Sequence, residues 1–318
     1  MDTGKVCAII LNWNGAEQTL NCVRSLEACG SIPVIVIDND SHASDYKKLL
    51  NYMVEQDRSD QDAGDTLITT QDAIVHEGRQ YARCLIRNNG NHGYAGGNNV
   101  GIEYATRAGY DYFWILNNDI TVEPDALRGL LDTLHSDPRC GFSASVLVYA
   151  DNPEKVQCVG GGTVYPWLGK TKLIGKKADR SQLPLLNLPT PDYLMGASML
   201  VSRRVIEEVG VMDDRYFMYS EEVDWQRRAA ARGITCKVAL NSFARHGDSG
   251  STKGKSHLFH FYRNRAAIMY NRKFHSTACC VVSSLALASI TVLQNSRSLK
   301  NIRYGLKGIS EGFAFSWR

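Results

Sequence analysis

Short apolar runs alternate with amphipathic stretches through the first half of the chain. The runs at 6–11, 33–37, 83–87 and 112–115 are mostly apolar, which is typical of strands buried on both faces of a sheet. Leucine and valine at helical spacing separate the first two runs. Because strands that alternate with helices form parallel sheets, the pattern predicts an α/β fold with one mostly parallel central sheet flanked by helices.

The pattern continues in the second half, with one gap. The predicted elements there are a helix at 124–135, a strand at 141–149, a strand at 195–202, a helix at 203–209, a helix at 221–232 and a strand at 234–240. Pro124 suits a first helical turn, and Gly233 suits the end of a helix. Residues 151–191 mix glycine, proline and lysine, and no element is assigned to them.

Charge changes this picture at two places. Residues 51–80 contain seven acidic residues and two arginines, which predicts an acidic surface insertion. Residues 253–318 contain eleven lysines or arginines and one acid, so they carry +10; since the whole chain carries +3, the rest carries −7. We therefore expect an α/β domain at 1–250 and a basic helical segment at 251–318 with an anionic partner.

The basic segment contains an uncharged run at 277–293. A spanning helix needs roughly 20 mostly apolar residues, whereas this run is shorter and holds five hydroxyl side chains. A helix packed on the domain, a helix in the membrane interface and a spanning helix stay open, in that order of preference. The basic residues that flank the run are Arg263, Arg265, Arg272, Lys273, Arg297, Lys300, Arg303 and Lys307. They predict peripheral contact with an anionic cytoplasmic leaflet.

The nine cysteines bear on the compartment. They are scattered without the paired spacing of a metal site, and their number is odd. The adjacent pair Cys279 and Cys280 is not expected to form a disulfide bond. Together with the lack of a signal peptide before Val6, these features predict a reducing, cytoplasmic setting.

Polar clusters follow the apolar runs where each predicted strand ends. They begin at Asn12, Asp38 and Asn117, and a glycine-rich loop at 88–99 precedes a helix. Ligands of open α/β sheets collect at the carboxyl ends of strands, and a glycine-rich loop before a helix suits phosphate. Asp119 is a candidate anchor for a hard cation that faces a diphosphate, with an ordinary turn or cap residue as the alternative.

Taken in order, these pieces resemble the family 2 glycosyltransferases with the GT-A fold, in particular bacterial rhamnosyltransferase- and galactofuranosyltransferase-type enzymes of surface-polysaccharide synthesis. The segments that carry the resemblance are residues 9–15, 36–39, 91–101, 116–119, 196–200 and 212–225, together with His246. Asn117-Asn118-Asp119 stands where the family has an Asp-x-Asp metal motif. The resemblance implies a Rossmann-like sheet with a C-terminal helical segment.

The resemblance also implies a nucleotide-sugar donor and a metal ion. The donor-binding residues it implies are Asn12, Trp13, Asn14, Asp38, Gly93, Gly96, Asn99, Asn117 and Asn118. A carboxylate such as Asp38 can accept the imide N–H of uracil or thymine, which favours a UDP- or dTDP-sugar. Asp119 and His246 would hold Mg²⁺ or Mn²⁺, and the imidazole tilts the expectation toward Mn²⁺.

The acidic cluster at the start of the helix at 221–232 is the implied catalytic group. Acids there also suit the helix dipole. The resemblance makes Glu222 the general base of an inverting transfer, with Glu221 and Asp224 as the other candidates. Asp224 would orient the acceptor, and Arg228 would pair with the cluster. The family has Asp where this chain has Glu222, so the base is one methylene longer.

The implied activity is transfer of a sugar, rhamnose among the candidates, to a hydroxyl of a glycan or lipid-linked acceptor. A nucleotidyltransferase is an alternative, but the loop at 12–15 has no basic residues for a triphosphate. A nucleic-acid-binding tail is another, and the apolar run at 277–293 argues against it. A catalytically silent partner protein stays open because the first carboxylate of the metal motif is missing. The C-terminal helices leave room for a homo-oligomer.

Overall fold

The computed structural model describes residues 5–59, 65–74, 79–247 and 256–317. The strands are β1 (Val6–Asn12), β2 (Val34–Asp38), β3 (Thr66–Thr70), β4 (Arg83–Arg87), β5 (Tyr112–Asn117), β6 (Ile120–Val122), β7 (Cys140–Tyr149), β8 (Asn152–Val159), β9 (Gly161–Tyr165), β10 (Lys170–Leu173), β11 (Tyr193–Leu194), β12 (Ser198–Ser202) and β13 (Thr235–His246). The helices are α1 (Ala16–Glu27), α2 (Ala43–Ser59), α3 (Gly93–Arg107), α4 (Ala126–His135), α5 (Arg203–Val209), α6 (Glu221–Ala230), α7 (His257–Phe274), α8 (Thr277–Gln294) and α9 (Leu299–Ala314).

Within the described ranges, ten strands form the central sheet, in the order β3-β4-β2-β1-β5-β12-β7-β13-β6, with β8 paired to β7. Strands β3, β4, β2, β1 and β5 are mutually parallel, whereas β12 is antiparallel to both β5 and β7. Strand β13 is parallel to β7. The mostly parallel sheet predicted from the alternating pattern is confirmed.

Alternate residues of the buried strands feed two cores, one on each face of the sheet. In β1, Ala8 and Ile10 pack with residues of α1 and α2, while Cys7 and Ile9 pack with residues of α3. Side chains of a strand point to opposite faces in turn, so one apolar run supplies both layers. This two-sided burial explains why the runs are apolar without alternation.

The acidic range 51–80 is only partly an insertion. Its first residues continue α2, and β3 pairs in parallel with β4 to form the edge of the central sheet. Pairing of Thr66 with Arg83 and of Thr70 with Arg87 fixes that register. Residues 60–64 and 75–78 lie outside the described ranges. The acidic composition hid a strand whose side chains are mostly half-exposed.

The unassigned range 151–191 contains β8, which joins the central sheet, and two strands of a second, smaller sheet, β9 and β10. Strand β9 pairs antiparallel with β10 and with β11. Close backbone packing needs Gly161 here, because a Cβ at that position would lie 1.8 Å from the carbonyl oxygen of Tyr193. The predicted last strand is longer than expected, since β13 continues through an irregularity between Ala239 and Phe243 as far as His246.

Helices α7, α8 and α9 form the C-terminal helical segment. Among the described residues, α8 is the one helix long and apolar enough to cross a membrane, and 33% of its apolar window is buried in the protein. The expected boundary at residue 250 lies outside the described residues, so the division at that point stays a prediction. The segment nevertheless packs on the sheet domain, as described below.

Candidate active site

The carboxyl ends of four parallel strands meet at one edge of the sheet. Asn12 pairs with Asp38 across β1 and β2, Asp38 pairs with Arg87 across β2 and β4, and Leu11 pairs with Asn117 across β1 and β5. The strand order therefore brings together the polar clusters that the sequence separates. Ligands of open α/β sheets bind at such an edge.

Asn12 and Asp38 form a closed hydrogen-bond network at this edge. The Asn12 amide donates to Asp38 Oδ1 at 2.9 Å and accepts from the Thr19 hydroxyl at 2.8 Å. Asp38 Oδ2 accepts from the backbone N–H of Ser41 at 3.3 Å. Both side chains are fully buried. The contact of Asp38 with the base stays a prediction, and in this arrangement its oxygens face protein groups.

Trp13 and Asn14 extend beyond the end of β1. Trp13 is 55% exposed and presents an indole face at the surface. Asn14 adopts a left-handed backbone with φ of 54°, which asparagine tolerates better than most residues. Its side-chain oxygen accepts from the N–H of His42 at 2.8 Å, so it joins the loops that follow β1 and β2.

The glycine-rich loop packs against the protein's own chain. Gly93 has φ of +70°, and a Cβ there would lie 2.2 Å from the Phe217 carbonyl oxygen. A Cβ at Gly96 would lie 2.8 Å from the Cβ of His92. Asn99 donates to the Met212 carbonyl and accepts from the Met212 N–H, at 2.8 and 3.2 Å. These residues shape the edge by packing, and their predicted role in letting the backbone approach the donor stays a prediction.

Asn117 and Asn118 directly precede Asp119, the acidic position of the motif. Asn117 ends β5, and its backbone N–H donates to the Ala197 carbonyl at 3.0 Å. The Asn118 amide donates to the Gly15 carbonyl and the Thr19 hydroxyl, both at 3.3 Å. Asn118 therefore fastens the loop after β1, while Asp119 follows it at the turn into β6.

Asp119 and His246 are brought together by the pairing of β6 with β13. His246 pairs with Ile120, the residue after Asp119, and its Nε2 lies 3.3 Å from Asp119 Oδ1. The other ring nitrogen, Nδ1, lies 2.5 Å from Gln157 Oε1 on β8. The backbone N–H of Gly247 donates to the Asp119 carbonyl at 3.0 Å, which fixes the turn.

This pair has the chemistry of a divalent-cation site. If Nδ1–H donates to the Gln157 oxygen, the lone pair of Nε2 faces the Asp119 carboxylate, and two acceptors face each other unless a proton or a cation lies between them. An outer hydrogen bond that fixes the tautomer is usual for a metal-binding histidine. No group of three or more His, Cys, Asp or Glu able to hold a metal occurs in the described part of the chain, so a bound ion would need oxygens from a ligand.

Glu221 and Glu222 are the least satisfied carboxylates at this edge. The Oε2 atoms of both are buried and have no hydrogen-bond partner among the described residues. Burial raises the pKa of Glu222 to about 7. Burial, and then the charge of Glu222, raise the pKa of Glu221 well above its ordinary value. A carboxylate with a pKa near neutrality is suited to accept a proton from a hydroxyl group.

Asp224 has a different set of contacts from the one expected. It is fully buried, and its oxygens lie 2.7 Å from Arg228 Nε and 2.6 Å from Lys273 Nζ, with the Tyr216 hydroxyl donating at 3.1 Å. The predicted pairing of Arg228 with the acidic cluster is confirmed. The acceptor-orienting role of Asp224 stays a prediction, and in the structure its carboxylate ties α6 to Lys273 of α7.

The loop before α6 connects the acidic start of that helix with the glycine-rich loop. Phe217, Tyr219 and Ser220 all have φ between 66° and 71°, a conformation that costs non-glycine residues about 1–3 kcal/mol each. The Phe217 carbonyl accepts from the Tyr94 N–H at 2.6 Å, and the Tyr94 hydroxyl donates to the Gly196 carbonyl at 2.8 Å. Tyr94 thus connects the loop before α6 with the segment before β12.

Three neighbours of the site were missed by sequence reasoning. Tyr94 lies close enough for the charges of Glu222 and Glu221, after burial, to raise its pKa further. Gln157 and Lys273 were missed because β8 was unassigned and because Lys273 belongs to a segment interpreted as a solvated basic surface. For Tyr94 a signal was available, since it lies inside the glycine-rich loop.

Comparison with known proteins agrees with this geometry. Residues 70–210 match the model of the family described as "Glycosyl transferase family 2". A low-salt glycan biosynthesis hexosyltransferase, Agl10 of Haloferax volcanii, is 29% identical over 157 residues, which are 48% of this chain and 49% of that protein. An N-acetylglucosaminyl-diphospho-decaprenol L-rhamnosyltransferase of Mycobacterium tuberculosis is 28% identical over 138 residues, 39% of this chain and 42% of that protein. The chain thus matches about half the length of these relatives or less.

Solved structures share the fold across nearly the whole chain. GalNAc-T7, crystallised with UDP, GalNAc and Mn²⁺, superposes with a TM-score of 0.63 at 13% identity, over 98% of this chain and 56% of that one. The mannosyltransferase PcManGT from Pyrobaculum calidifontis, in complex with GDP-Man and Mn²⁺, has a TM-score of 0.55 at 12% identity, over 98% of this chain and 85% of that one. Residues 70–210 are thus similar to glycosyl transferase family 2, and the chain as a whole shares the GT-A fold of these glycosyltransferases.

Proposed function

We propose that the protein is an inverting glycosyltransferase that moves a hexosyl residue from a nucleoside diphosphate to an acceptor hydroxyl. One observation carries the proposal: Glu222, in the first turn of α6 at the carboxyl-end edge of the sheet, has a buried carboxylate oxygen without a hydrogen-bond partner in the described residues and a pKa of about 7. A purely structural carboxylate at a buried position is normally hydrogen-bonded. The alternative of a silent partner protein gives no reason to keep such a group.

The transfer follows from the position of this base. The acceptor oxygen attacks C1 of the sugar from the face opposite the leaving group and forms the new C–O bond. The bond from C1 to the diphosphate oxygen breaks, and the nucleoside diphosphate keeps the electron pair. The acceptor proton passes to Glu222 as attack proceeds, so Glu222 must be ionised at the start.

Asp119 and His246 are the residues that would hold a divalent cation. Their side chains lie together, and Gln157 contacts the second ring nitrogen of the histidine. When bound, the cation supplies charge neutralisation of the departing diphosphate. Both solved neighbours were crystallised with Mn²⁺, which supports a divalent metal, and the imidazole favours Mn²⁺ over Mg²⁺.

The donor is proposed to be a UDP- or dTDP-sugar, with its base against Trp13. The exposed indole offers a stacking face at the end of β1. Asp38, enclosed with Asn12, positions this loop in the structure and would reach the imide of the base only if the Ser41 loop shifts. The neighbours carry UDP in one case and GDP-mannose in the other, so the nucleotide is part of the test.

The acceptor is proposed to be a glycan or a lipid-linked sugar on the cytoplasmic side of the membrane, in cell-surface polysaccharide synthesis. The name of the mycobacterial relative describes an N-acetylglucosaminyl-diphospho-decaprenol acceptor and an L-rhamnosyl donor, which supports rhamnose as the first sugar to try. All nine cysteines lie in the described ranges and are free thiols, in keeping with a reducing compartment.

The test is a binding and donor-hydrolysis screen of UDP- and dTDP-sugars with Mg²⁺, Mn²⁺ or EDTA. We expect one donor to bind in a metal-dependent way, Asp119→Ala to lose that binding, and Glu222→Gln to keep it while turnover falls. The matched controls, Asp125→Ala and Glu103→Gln, change exposed acids away from this edge. Binding of no donor with either metal would contradict the proposal and favour a silent partner protein. Release of pyrophosphate from a nucleoside triphosphate would assign a nucleotidyltransferase instead.

A further inference from the structure

Helix α8 exposes an apolar face on the outside of the protein. Its exposed side chains include Val281, Val282, Leu285, Val292 and Leu293, with Leu285 66% and Leu293 77% exposed. These positions recur at helical spacing and form one stripe. The opposite side of the helix, which includes Cys280, Ser283, Leu287 and Thr291, is buried in the protein. One face of α8 therefore holds the helix on the protein while the other is left uncovered.

Helix α9 adds a second apolar row beside a basic row. Leu299, Leu306 and Phe313 are exposed at intervals of seven residues. The exposed residues Lys300, Arg303 and Lys307 lie on the adjoining part of the same surface. An apolar row next to a basic row is typical of helices that lie in the interface of an anionic membrane.

The turn between β9 and β10 contributes aromatic residues next to α8. Tyr165, Trp167 and Leu168 are exposed at its tip. Gly169 lies against Leu287 of α8, and a Cβ there would be 2.6 Å from the leucine Cδ1 atom. Tryptophan and tyrosine are enriched where membrane meets water. This turn lies beside α8 and exposes residues that suit the depth of the headgroups.

The structure divides the eight basic residues of this segment into two groups. Arg265 donates to the carbonyls of Arg215 and Tyr216, Arg272 donates to those of Gly312 and Phe315, and Lys273 pairs with Asp213 and Asp224. Arg263 donates to Asn264 of its own helix. The solvent-facing charges are Arg297, Lys300, Arg303 and Lys307, of which Lys307 also pairs with Glu311 at 3.5 Å on the surface of α9. All four lie next to the exposed apolar rows, so the available positive charge is concentrated at one place.

We propose that this surface, which we call the docking face, binds an anionic lipid bilayer in its interface. It consists of the exposed residues of α8 and α9 named above, Arg297 and the turn at 165–168. Apolar side chains enter the headgroup region, and the four cations contact lipid phosphates. Because the buried side of α8 packs on the protein, the helix lies along the surface of the bilayer and does not cross it.

Docking through this face sets the active site beside the membrane. Helix α7, which packs with α8 and α9, contacts the loop before α6: Tyr262 stacks on Phe217 with ring centres 4.8 Å apart, and Phe259 meets Tyr219 edge to face. That loop leads directly to Glu221 and Glu222. A lipid-linked acceptor would thus reach the base without leaving the bilayer. This consequence rests on the proposed function, whereas binding to the bilayer does not.

Sedimentation of the full chain with vesicles tests the proposal without donor or acceptor. Vesicles of phosphatidylcholine alone are compared with vesicles containing phosphatidylglycerol, at low and high salt. We expect binding to the anionic vesicles only, weakened by salt. Lys300→Glu with Arg303→Glu should lower the partition coefficient at least about tenfold. Leu285→Gln with Leu293→Gln should lower it about tenfold, because apolar burial is lost.

Control variants change exposed residues elsewhere: Arg128→Glu on α4 and Leu185→Gln before β11 should bind as the wild type does. Equal binding to neutral vesicles, or variants that bind as the wild type does, would overturn the proposal. A dimer that dissociates in the Leu285 and Leu293 variant, without vesicle binding by the wild type, would assign the face to a second copy. Binding that resists high salt and alkaline extraction would assign α8 as a span. Donor hydrolysis by variants that no longer bind vesicles separates this failure from failure of the proposed function.

Discussion

Two polar clusters lie at the same edge of the sheet, and their buried groups are satisfied to different degrees. Around Asn12 and Asp38, amide, hydroxyl and carboxylate groups are joined by hydrogen bonds of 2.8–3.3 Å. At the start of α6, Glu221 and Glu222 each have a buried oxygen without a partner in the described ranges. Buried polar groups are normally paired because leaving them unpaired costs about 1–3 kcal/mol.

The difference separates residues that build the site from residues that act in it. The hydrogen bonds of the first cluster hold two loops in place and so stabilise the folded protein. In the second cluster, the unpaired carboxylate oxygens destabilise the fold, and the ion pairs of Asp224 with Arg228 and Lys273 hold the helix that carries them. Strained or unsatisfied groups that persist in a fold are characteristic of functional sites. The predictions that follow test this contrast, from the largest expected effect to the smallest.

Replacing the proposed base gives the largest effect. Glu222→Gln should lower turnover by about 10²–10⁴-fold and leave donor binding intact, since a general base contributes about that factor. In the wild type, kcat/KM should rise with pH through about 7, because the carboxyl group must lose its proton to act. A pH–rate profile checks both points. A profile that is flat between pH 5 and 8 would remove Glu222 from this role.

The same substitution should change how stability depends on pH. The pKa of Glu222 is about 7 in the folded protein, above the ordinary value of 4.5, so between these values the folded state binds more protons than the unfolded state. The free energy of unfolding therefore falls as pH rises through this window, and Glu222→Gln should lessen the fall. Urea titrations at pH 5 and pH 8 measure it. An equal pH dependence in both proteins would argue that the carboxylate is solvated.

Truncation in the satisfied cluster should act on stability instead. Asn12→Ala leaves buried Asp38 and Thr19 without their partner and should cost about 3 kcal/mol of the free energy of unfolding. Asn21→Ala, on the exposed side of α1, is the matched control and should cost well under about 1 kcal/mol. Urea denaturation measures both. A loss below about 1 kcal/mol for Asn12→Ala would mean that the cluster is not the anchor described.

Removing the lysine below α6 should have an intermediate effect. Lys273→Met leaves fully buried Asp224 with Arg228 as its remaining cation, and we expect a loss of about 2 kcal/mol in the free energy of unfolding. Lys48→Met breaks an exposed pair with Glu17 and should cost under about 1 kcal/mol. If both variants unfold at the same urea concentration, the C-terminal segment does not support the catalytic helix.

The residue that joins the clusters should give the smallest effect. Tyr94→Phe removes the hydrogen bond to the Gly196 carbonyl and should cost about 1 kcal/mol of the free energy of unfolding. Tyr165→Phe, at an exposed tip, should change nothing measurable. Thermal unfolding of the two variants side by side measures the difference. Equal midpoints would show that the Tyr94 hydroxyl does not hold the segment before β12.

The contrast also explains what the sequence could and could not predict. Asp119 and Glu222 could be proposed as site residues because each lies at the end or in the first turn of a strongly patterned element, and the pairing of β6 with β13 brings His246 beside Asp119. The pairing of Asp224 with Lys273 was not predicted, because Lys273 is 49 positions away and nothing local marks the pair. Net charge could not reveal which cations of α7 turn inward.

Short or weakly patterned strands are the part of the fold that could not be predicted from the sequence. Strand β3 lies in an acidic range and pairs only at the edge of the sheet, so its composition resembles that of a loop. Strand β9 carries Gly161 and Gly162 where the backbones of β11 and β10 approach closely, which weakens the strand pattern. Gln157 could therefore not be predicted as the neighbour of His246, because no strand was assigned at β8.

The most direct test of the central claim is a pH titration of the glutamate side-chain carboxyl carbons by NMR, in the wild type and in Glu222→Gln. The account predicts a carboxyl carbon that titrates near pH 7 and is missing from the variant, together with a change in a second, high-titrating signal from Glu221. If every glutamate titrates in the ordinary range between about 4 and 5, the carboxylates of α6 are solvated and the base must lie elsewhere.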